Sequence, residues 1–448
     1  MSKKIVNRQV AITELSKLSS QFVIVENPSY IHPNYDIFPL VKKNKTPFNK
    51  VIATVMDMDG TTTTTEVLCI HSLEYMVRAI SGKLAKSEWN GLNHVKDYPN
   101  IIGNSTTKHV EYLLNSYGSM IIKSEAQSAF IKAAIWTLIK GKDVGRKNEV
   151  KNNLIALGLN ELLFDKRIIQ FQSARPDENK YLEFIKYAVR KYSKFVKLNQ
   201  KEDSVRMGID IYYQRYHEIL ERLLRGESQK IISELSLEKG KHLIEPLPAV
   251  GIFLAFVKGL LGKDASKLSK YIAETKLKKN PKSKINIEKL SNHLENLGTH
   301  FQNKPMKIAV VTSSISYEAD IVLGEVFKVI QNEIKTWQLP TAKRKKLIER
   351  FSDHNRFYDA VITASDSSEI RLKPHRDLYS IALNKLSIPI IDFDKVIGFE
   401  DSESGLIAMR AAGIGNCVAV PFTQTSGHNF KAASLIAKNG VADILVKF

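Results

Sequence analysis

Six short runs rich in β-branched residues punctuate the chain from Lys50 onward: VIATVMD at 51–57, KIAVVTSS at 307–314, DAVITAS at 359–365, KVIGFED at 395–401, NCVAVP at 416–421 and ADILV at 442–446. Most are continuously apolar rather than alternating, and each ends in polar or small residues. That is how strands read when both faces of a parallel sheet are buried. Stretches with helical spacing lie between them, such as HRDLYSIALNKL at 375–386 and SGLIAMRAAG at 404–413. Alternation of this kind predicts an α/β fold with a doubly wound parallel sheet.

The first and second strands are separated by far more chain than one crossover needs. Residues 67–243 carry apolar side chains at three- and four-residue spacing, as in SAFIKAAIWTLIKG and GIDIYYQRYHEILERLL, the amphipathic signature of helices. This predicts a mostly α-helical cap domain at 67–243, inserted into a core made of 50–66 and 244–448. IEPLPAVGIFLAFVKGLL at 244–261 brings the chain back to the sheet through a helix. Two parts stand outside this scheme. Residues 1–49 form a leader with prolines and aromatics but no regular period. About 262–304 is a lysine-rich basic insertion, expected as a surface excursion.

In open parallel sheets, ligands bind outside the carboxyl ends of the strands. The first strand ends in Asp57-Met58-Asp59-Gly60-Thr61 and the second in Thr312-Ser313-Ser314. Lys373-Pro374 follows the third, and the fourth ends in Glu400-Asp401-Ser402. If these strands are neighbours, several carboxylates, one ammonium and several hydroxyls converge on one crevice. Clustered carboxylates repel, so a hard cation is implied, and Mg²⁺ suits oxygen ligands of this kind. A cation beside a lysine suits an anionic substrate, with phosphate the obvious candidate. One aspartate is then free to attack phosphorus and form an aspartyl phosphate. A second, two residues on, can serve as general acid and then general base. Gly60 permits the sharp turn that brings backbone amides to phosphate oxygens. A calcium loop fails on spacing, because the glycine comes too early and no acidic residue stands at the fifth position.

DMDGT, VVTSS, LKPHRD and GFEDSESGLIAMRAAG stand in the order of the four motifs of the haloacid dehalogenase superfamily, which the chain resembles. The last, with FYDAVITASD before it, is most similar to the β-phosphoglucomutase and phosphoglycolate phosphatase branch. The resemblance implies a Rossmann-like core with Asp57 as nucleophile and Asp59 as acid/base. It implies Thr312 as the hydroxyl that holds the transferring phosphoryl group and Lys373 as the cation that neutralises it. Asp57, Asp401 and the backbone carbonyl of Asp59 would hold Mg²⁺, with Glu400 as a direct or water-mediated partner. Gly60 and Ser313 would contact the substrate. An aspartate at position 59 argues for phosphoryl transfer rather than dehalogenation. YPNIIGNSTTKHVEYLL at 98–114 resembles the loop and helix with which such caps close, placing Gly103 and Ser105 at the small specificity positions and Lys108 as a phosphate or sugar contact. The chain departs from the mutase pattern after the first motif: Glu66 fits, but Thr64 replaces an aspartate and Cys69 a histidine.

The expected activity is therefore Mg²⁺-dependent hydrolysis of a small phosphorylated molecule, with a phosphomutase as the alternative. Lys+Arg number 66 against 47 Asp+Glu, a formal net charge of +19. That excess raises a further alternative, binding of nucleic acid or an acidic partner through the basic insertions. A lysine-rich solvated surface accounts for the charge more simply, since no aromatic-interleaved basic motif stands out. No apolar stretch reaches the roughly 18 residues needed to span a bilayer, so no membrane partner is expected. Two cysteines, Cys69 and Cys417, fit a reducing cytoplasm and exclude a disulfide framework.

Overall fold

A computed structural model describes residues 5–27, 31–85, 87–174, 177–235, 237, 242–279, 281, 284–368, 371–422, 425 and 427–447. The chain forms two compact units. One comprises the chain up to Thr65, the short piece Ile102–Ser105 and the chain from Ile244 on; the other comprises Glu66–Ile101 and Thr106–Leu243.

The first unit is built on strands. β1 (Phe22–Glu26) and β2 (Tyr35–Pro39) form a two-stranded antiparallel ribbon. β3 (Ala53–Asp57), β4 (Lys307–Val311), β5 (Ala360–Ile362), β6 (Val396–Glu400), β7 (Asn416–Ala419) and β8 (Leu435–Ile436) form a six-stranded sheet in the order β5-β4-β3-β6-β7-β8. Every pairing in it is parallel. The chain thus starts in the middle, winds one way, then returns and winds the other way. Its direction reverses beside β3, and a doubly wound sheet opens its ligand crevice at that switch point.

Side-chain alternation decides what each strand buries. All five residues of β3 and of β6 are buried. Val55 and Val396 join Leu378, Tyr379, Leu406 and Met409 in a core on one face. Phe399 points to the other face, where its ring meets Phe253 at 5.1 Å, and Phe48 meets Phe301 at 5.2 Å. Phe253 comes from the helix Val250–Val257, the expected return into the sheet domain, whose residues are all buried.

Three sequence expectations are corrected here. ADILV at 442–446 is not a strand but part of a helix, Ala442–Lys447. A short apolar run fits either form. Gly440, at φ 70°, turns the chain just before it, and the Asp443 carboxylate accepts from the Asn439 amide N–H at 3.2 Å and Nδ2 at 2.9 Å. Residues 1–49, read as lacking a regular period, contain a helix, Arg8–Leu18, and the β1–β2 ribbon. Their alternating segments are too short to stand out. The lysine-rich stretch is also not a mere surface excursion. It forms a 3-10 turn at Gly262–Leu268 and helices Ser269–Lys279 and Ile287–Asn303. Leu290, Leu294, Gly298 and Phe301 supply the buried stripe of the last, and so narrow a stripe needs few apolar residues. Asn280, Lys282 and Ser283 lie outside the described residues.

The second unit is helical throughout its described elements. Its longest helix, Lys201–Leu224, packs on Glu66–Ser81, Thr106–Tyr117 and Lys123–Ile139. A buried ion pair ties it to the helix Val144–Ala156: Arg146 Nη2 lies 2.5 Å from Asp210 Oδ1, and Asn153 Nδ2 donates to Asp210 Oδ2 at 2.9 Å. Among the described residues, no helix is long and apolar enough to cross a membrane.

Candidate active site

Register brings the site together. Asp57 pairs with Val311 on β4, and Met56 pairs with Phe399 on β6. Asp57 and Glu400 therefore follow side by side at the carboxyl end of the central strands. Asp57, Glu400 and Asp401 are buried, at 4%, 0% and 3% exposure. Each offers a carboxylate oxygen within 4.8 Å of the others.

Lys373 lies among them. Its ammonium donates to Asp57 Oδ1 and, at 2.7 Å, to Glu400 Oε1. Glu400 is further occupied. The Tyr379 hydroxyl donates to Oε1 at 3.0 Å, while the Ser402 amide and hydroxyl donate to Oε2 at 2.9 and 2.8 Å. Burial alone would depress the Lys373 ammonium, but the Asp57 and Glu400 charges outweigh it and hold its pKa above the usual lysine range. Burial pushes Glu400 up, yet Lys373 and the Ser402 donors bring it below the ordinary glutamate value. Asp57 goes the other way. Burial raises its carboxyl well above the usual range, the Glu400 and Asp59 charges add to this, and Lys373 only partly offsets it. Three buried carboxylates against one ammonium leave an excess of negative charge in a poorly hydrated place, which a divalent cation would relieve. The donor set fits Mg²⁺: hard oxygens, close together, on rigid strand ends.

After Asp57 the chain turns sharply. Gly60 has φ 76° and spends its own N–H on Thr63 O at 3.0 Å, so its contribution is the turn itself. The Thr62 hydroxyl donates to Asp57 O at 2.6 Å. The Asp59 carboxylate is ringed by hydroxyls: Thr65 on Oδ1, and Thr312 at 2.8 Å and Ser314 at 3.3 Å on Oδ2. Thr312, expected at the phosphoryl group, is thus found on Asp59, and its oxygen also accepts the Ser314 amide at 2.9 Å. Ser313 stands between them, partly exposed. The threonine run has a second use. Thr64 N donates to Glu245 O at 3.1 Å and Leu247 N donates to Thr62 O at 3.0 Å, so the outgoing and returning segments are paired. The Lys373–Pro374 peptide is cis, and Pro374 lies in the turn before the helix Asp377–Lys385 rather than in its first turn.

Sequence reasoning missed several contributors. Gly405 sits in the first turn of the helix Glu403–Ala411. A Cβ there would lie 1.7 Å from Glu400 Oε1 and 2.0 Å from its Cδ. Glycine is therefore what makes room for the carboxylate that anchors Lys373. Tyr379, Ser402, Ser314 and Thr65 also went without a role; Ser314 stands at a strand end and Ser402 within EDSESG, whereas no local signal marked Tyr379 or Thr65. Gly103 and Ser105 belong to the first unit. Gly103 has φ 79°, its carbonyl accepts from the Ser404 hydroxyl, and a Cβ there would meet Ser402 Cβ at 2.5 Å. Lys108 lies in the first turn of the helix Thr106–Tyr117 of the second unit, and Cys69 in that unit accepts from the Tyr212 hydroxyl at 3.5 Å.

No family model and no curated protein matches the sequence. Among solved structures, CbbY from Rhodobacter sphaeroides in complex with phosphate aligns over 86% of this chain and 93% of its own, at 12% identity and a TM-score of 0.37. A hydrolase from Pseudomonas syringae aligns over 88% and 96%, at 13% identity and a TM-score of 0.36. Neither is close enough to speak for the chemistry of this chain, which rests on the site itself.

Proposed function

We propose that the chain is a phosphoric monoester hydrolase acting through an aspartyl phosphate. The observation that carries this is the Lys373 ammonium bonded to both Asp57 and Glu400 beside Asp401, at the switch point of a doubly wound sheet. Asp57 attacks phosphorus in line with the leaving oxygen. Asp59, its carboxylate oriented by Thr65, Thr312 and Ser314, protonates that oxygen and later takes the proton of the water that cleaves the aspartyl phosphate. Lys373 neutralises charge on the equatorial oxygens, and Glu400 and Tyr379 hold Lys373 in place. Asp57, Asp401 and the main-chain carbonyl of Asp59 would hold Mg²⁺, with Glu400 supporting from behind. Bound there, Mg²⁺ supplies positive charge that keeps Asp57 ionised and tolerates an incoming dianion. Ser313 is proposed to border the phosphate and Gly60 to shape the turn beside it, with Gly103, Ser105 and Lys108 proposed as specificity residues for the rest of the substrate.

The test is turnover of an aryl phosphate with and without Mg²⁺, for the wild type and Asp57→Asn. Mg²⁺-dependent release of inorganic phosphate is expected from the wild type and none from the variant, with circular dichroism unchanged. Wild-type-like turnover by Asp57→Asn would refute the assignment. A screen of sugar phosphates then separates hydrolysis, which frees phosphate, from isomer formation by a mutase.

A further inference from the structure

The leader has no part in the chemistry above, yet its folded portion touches two of the segments that carry it. On one side, β2 lies against the turn that holds Lys373. Asp36 Oδ2 is 4.0 Å from Arg371 Nη1 and 3.9 Å from His375 Nδ1. The Phe38 ring meets the His375 ring edge-on, with centroids 5.3 Å apart, and both residues are buried. Arg371 in turn grips Asp377 with two bonds, at 2.8 and 2.9 Å, and Asp377 opens the helix that carries Tyr379.

On the other side, the ribbon is clamped to the helix that follows Asp401. The buried Arg410 guanidinium donates to Val41 O at 3.0 and 2.6 Å and to Gln21 Oε1 at 2.7 Å. Val41 N donates back to Arg410 O at 3.2 Å. Val25, Phe38 and Leu40 share an apolar cluster with Ala411, and Ile407 packs against it.

These contacts matter because of how Lys373 is supported. Asp57 and Glu400 end buried strands, whereas Lys373 sits in a turn between a 3-10 segment and a helix. Its ammonium reaches the two carboxylates only while that turn keeps its place. A two-stranded ribbon is marginal on its own, so one held by charge, ring and guanidinium contacts couples the segments it touches. We propose that the β1–β2 ribbon is a brace between the Lys373 turn and the Asp401 helix, with Asp36 and Phe38 as positioning residues for Lys373. Its kinetic consequence rests on the phosphatase reading; the bracing itself does not.

The test uses the full chain carrying Asp36→Asn or Phe38→Ala, with Asp36→Glu as the conservative variant. Hydrogen exchange in a peptide spanning 371–376 reads the brace directly. Faster exchange is expected in Asp36→Asn and Phe38→Ala. Their kcat on an aryl phosphate should fall by about tenfold or more, the scale of a small misplacement at a reacting centre, with KM changed by less than about twofold. Asp36→Glu should recover most of both. Should Phe38→Ala not fold, Asp36→Asn decides alone, since the Asp36 side chain is 35% exposed and tolerates the isosteric change. Unchanged exchange in Asp36→Asn overturns the brace. Faster exchange with unchanged kcat overturns the positioning role. A wild type lacking Mg²⁺-dependent turnover sinks the phosphatase reading instead, and the exchange result still decides whether the brace exists.

Discussion

Replacing Lys373 by Met keeps the length of the side chain and removes its charge. In the native protein that charge lies in contact with Asp57 and 2.7 Å from Glu400. Without it, Asp57, Glu400 and Asp401 remain as three carboxylates of at most 4% exposure with no ammonium among them. Removing one partner of a buried ion pair costs about 3–5 kcal/mol, which lowers the thermal midpoint by several degrees or more. The sign of the pH dependence follows from linkage. Burial already lifts Asp57 above its ordinary value of 3.8, and Lys373 is the influence that pulls it down. In the variant, folded Asp57 keeps a proton that the unfolded chain has released. The folded state then binds more protons, so stability falls as pH rises through that window. The deficit should be larger at mildly alkaline than at mildly acidic pH. Millimolar Mg²⁺ should restore part of it by binding only the folded state. Thermal and urea melts of both proteins, in chelator and in Mg²⁺, at alkaline and at acidic pH, measure all of this. A variant as stable as the wild type in chelator at alkaline pH, or a deficit that grows on acidification, would show that the ammonium does not balance these carboxylates.

Other outcomes can be checked separately. Gly405→Ala places a methyl where Glu400 already is, and overpacking of this kind should cost on the order of 3 kcal/mol along with most of the turnover, read by melting and by phosphate release. Gly103→Ala meets Ser402 and strains a φ of 79°; a loss of about 1–3 kcal/mol is expected, with lower kcat because Ser402 holds Glu400. Thr65→Val removes one of the hydroxyls on Asp59 and should lower kcat by about tenfold, a part of the roughly 10²–10⁴-fold that a general acid–base contributes, with KM little changed. In the helical unit, burial pushes Asp210 up to about 6 despite Arg146 beside it. Its folded pKa exceeds its unfolded one, so it makes the protein less stable as pH rises from about 4 to about 6, by about 2–3 kcal/mol. Arg146→Met should widen that window upward, and melts across this range would show it.

Much of the fold was legible in the chain because burial imposes a local pattern. Five of the six apolar runs are strands, and they end where the polar residues begin. A strand end is where a buried segment first reaches the crevice, so the position of Asp57, Asp59, Glu400 and Asp401 could be read from the same boundary. The sixth run, at 442–446, shows the limit: a few apolar residues satisfy a strand or a buried helical turn equally, and only Gly440 and the Asn439–Asp443 bonds choose. The β1–β2 ribbon was missed for a related reason. Its inward residues are Val23, Val25 and Phe38, too few to show a period, and they are defined by Ile407 and Ala411, far away in the chain.

What local pattern sets, then, is which residues turn inward and where each segment stops; that much of this protein is written in its order of amino acids. Which segments stand beside one another is not, because strand pairing and side-chain contact join groups hundreds of positions apart: Lys373 is 316 from Asp57 and Arg410 is 389 from Gln21. The tertiary structure alone makes Glu400 the anchor of a lysine, Gly405 the space for that anchor, and three hydroxyls the setting of Asp59. Those roles depend on distances of a few ångströms between distant segments, and periodicity along a chain carries no measure of them.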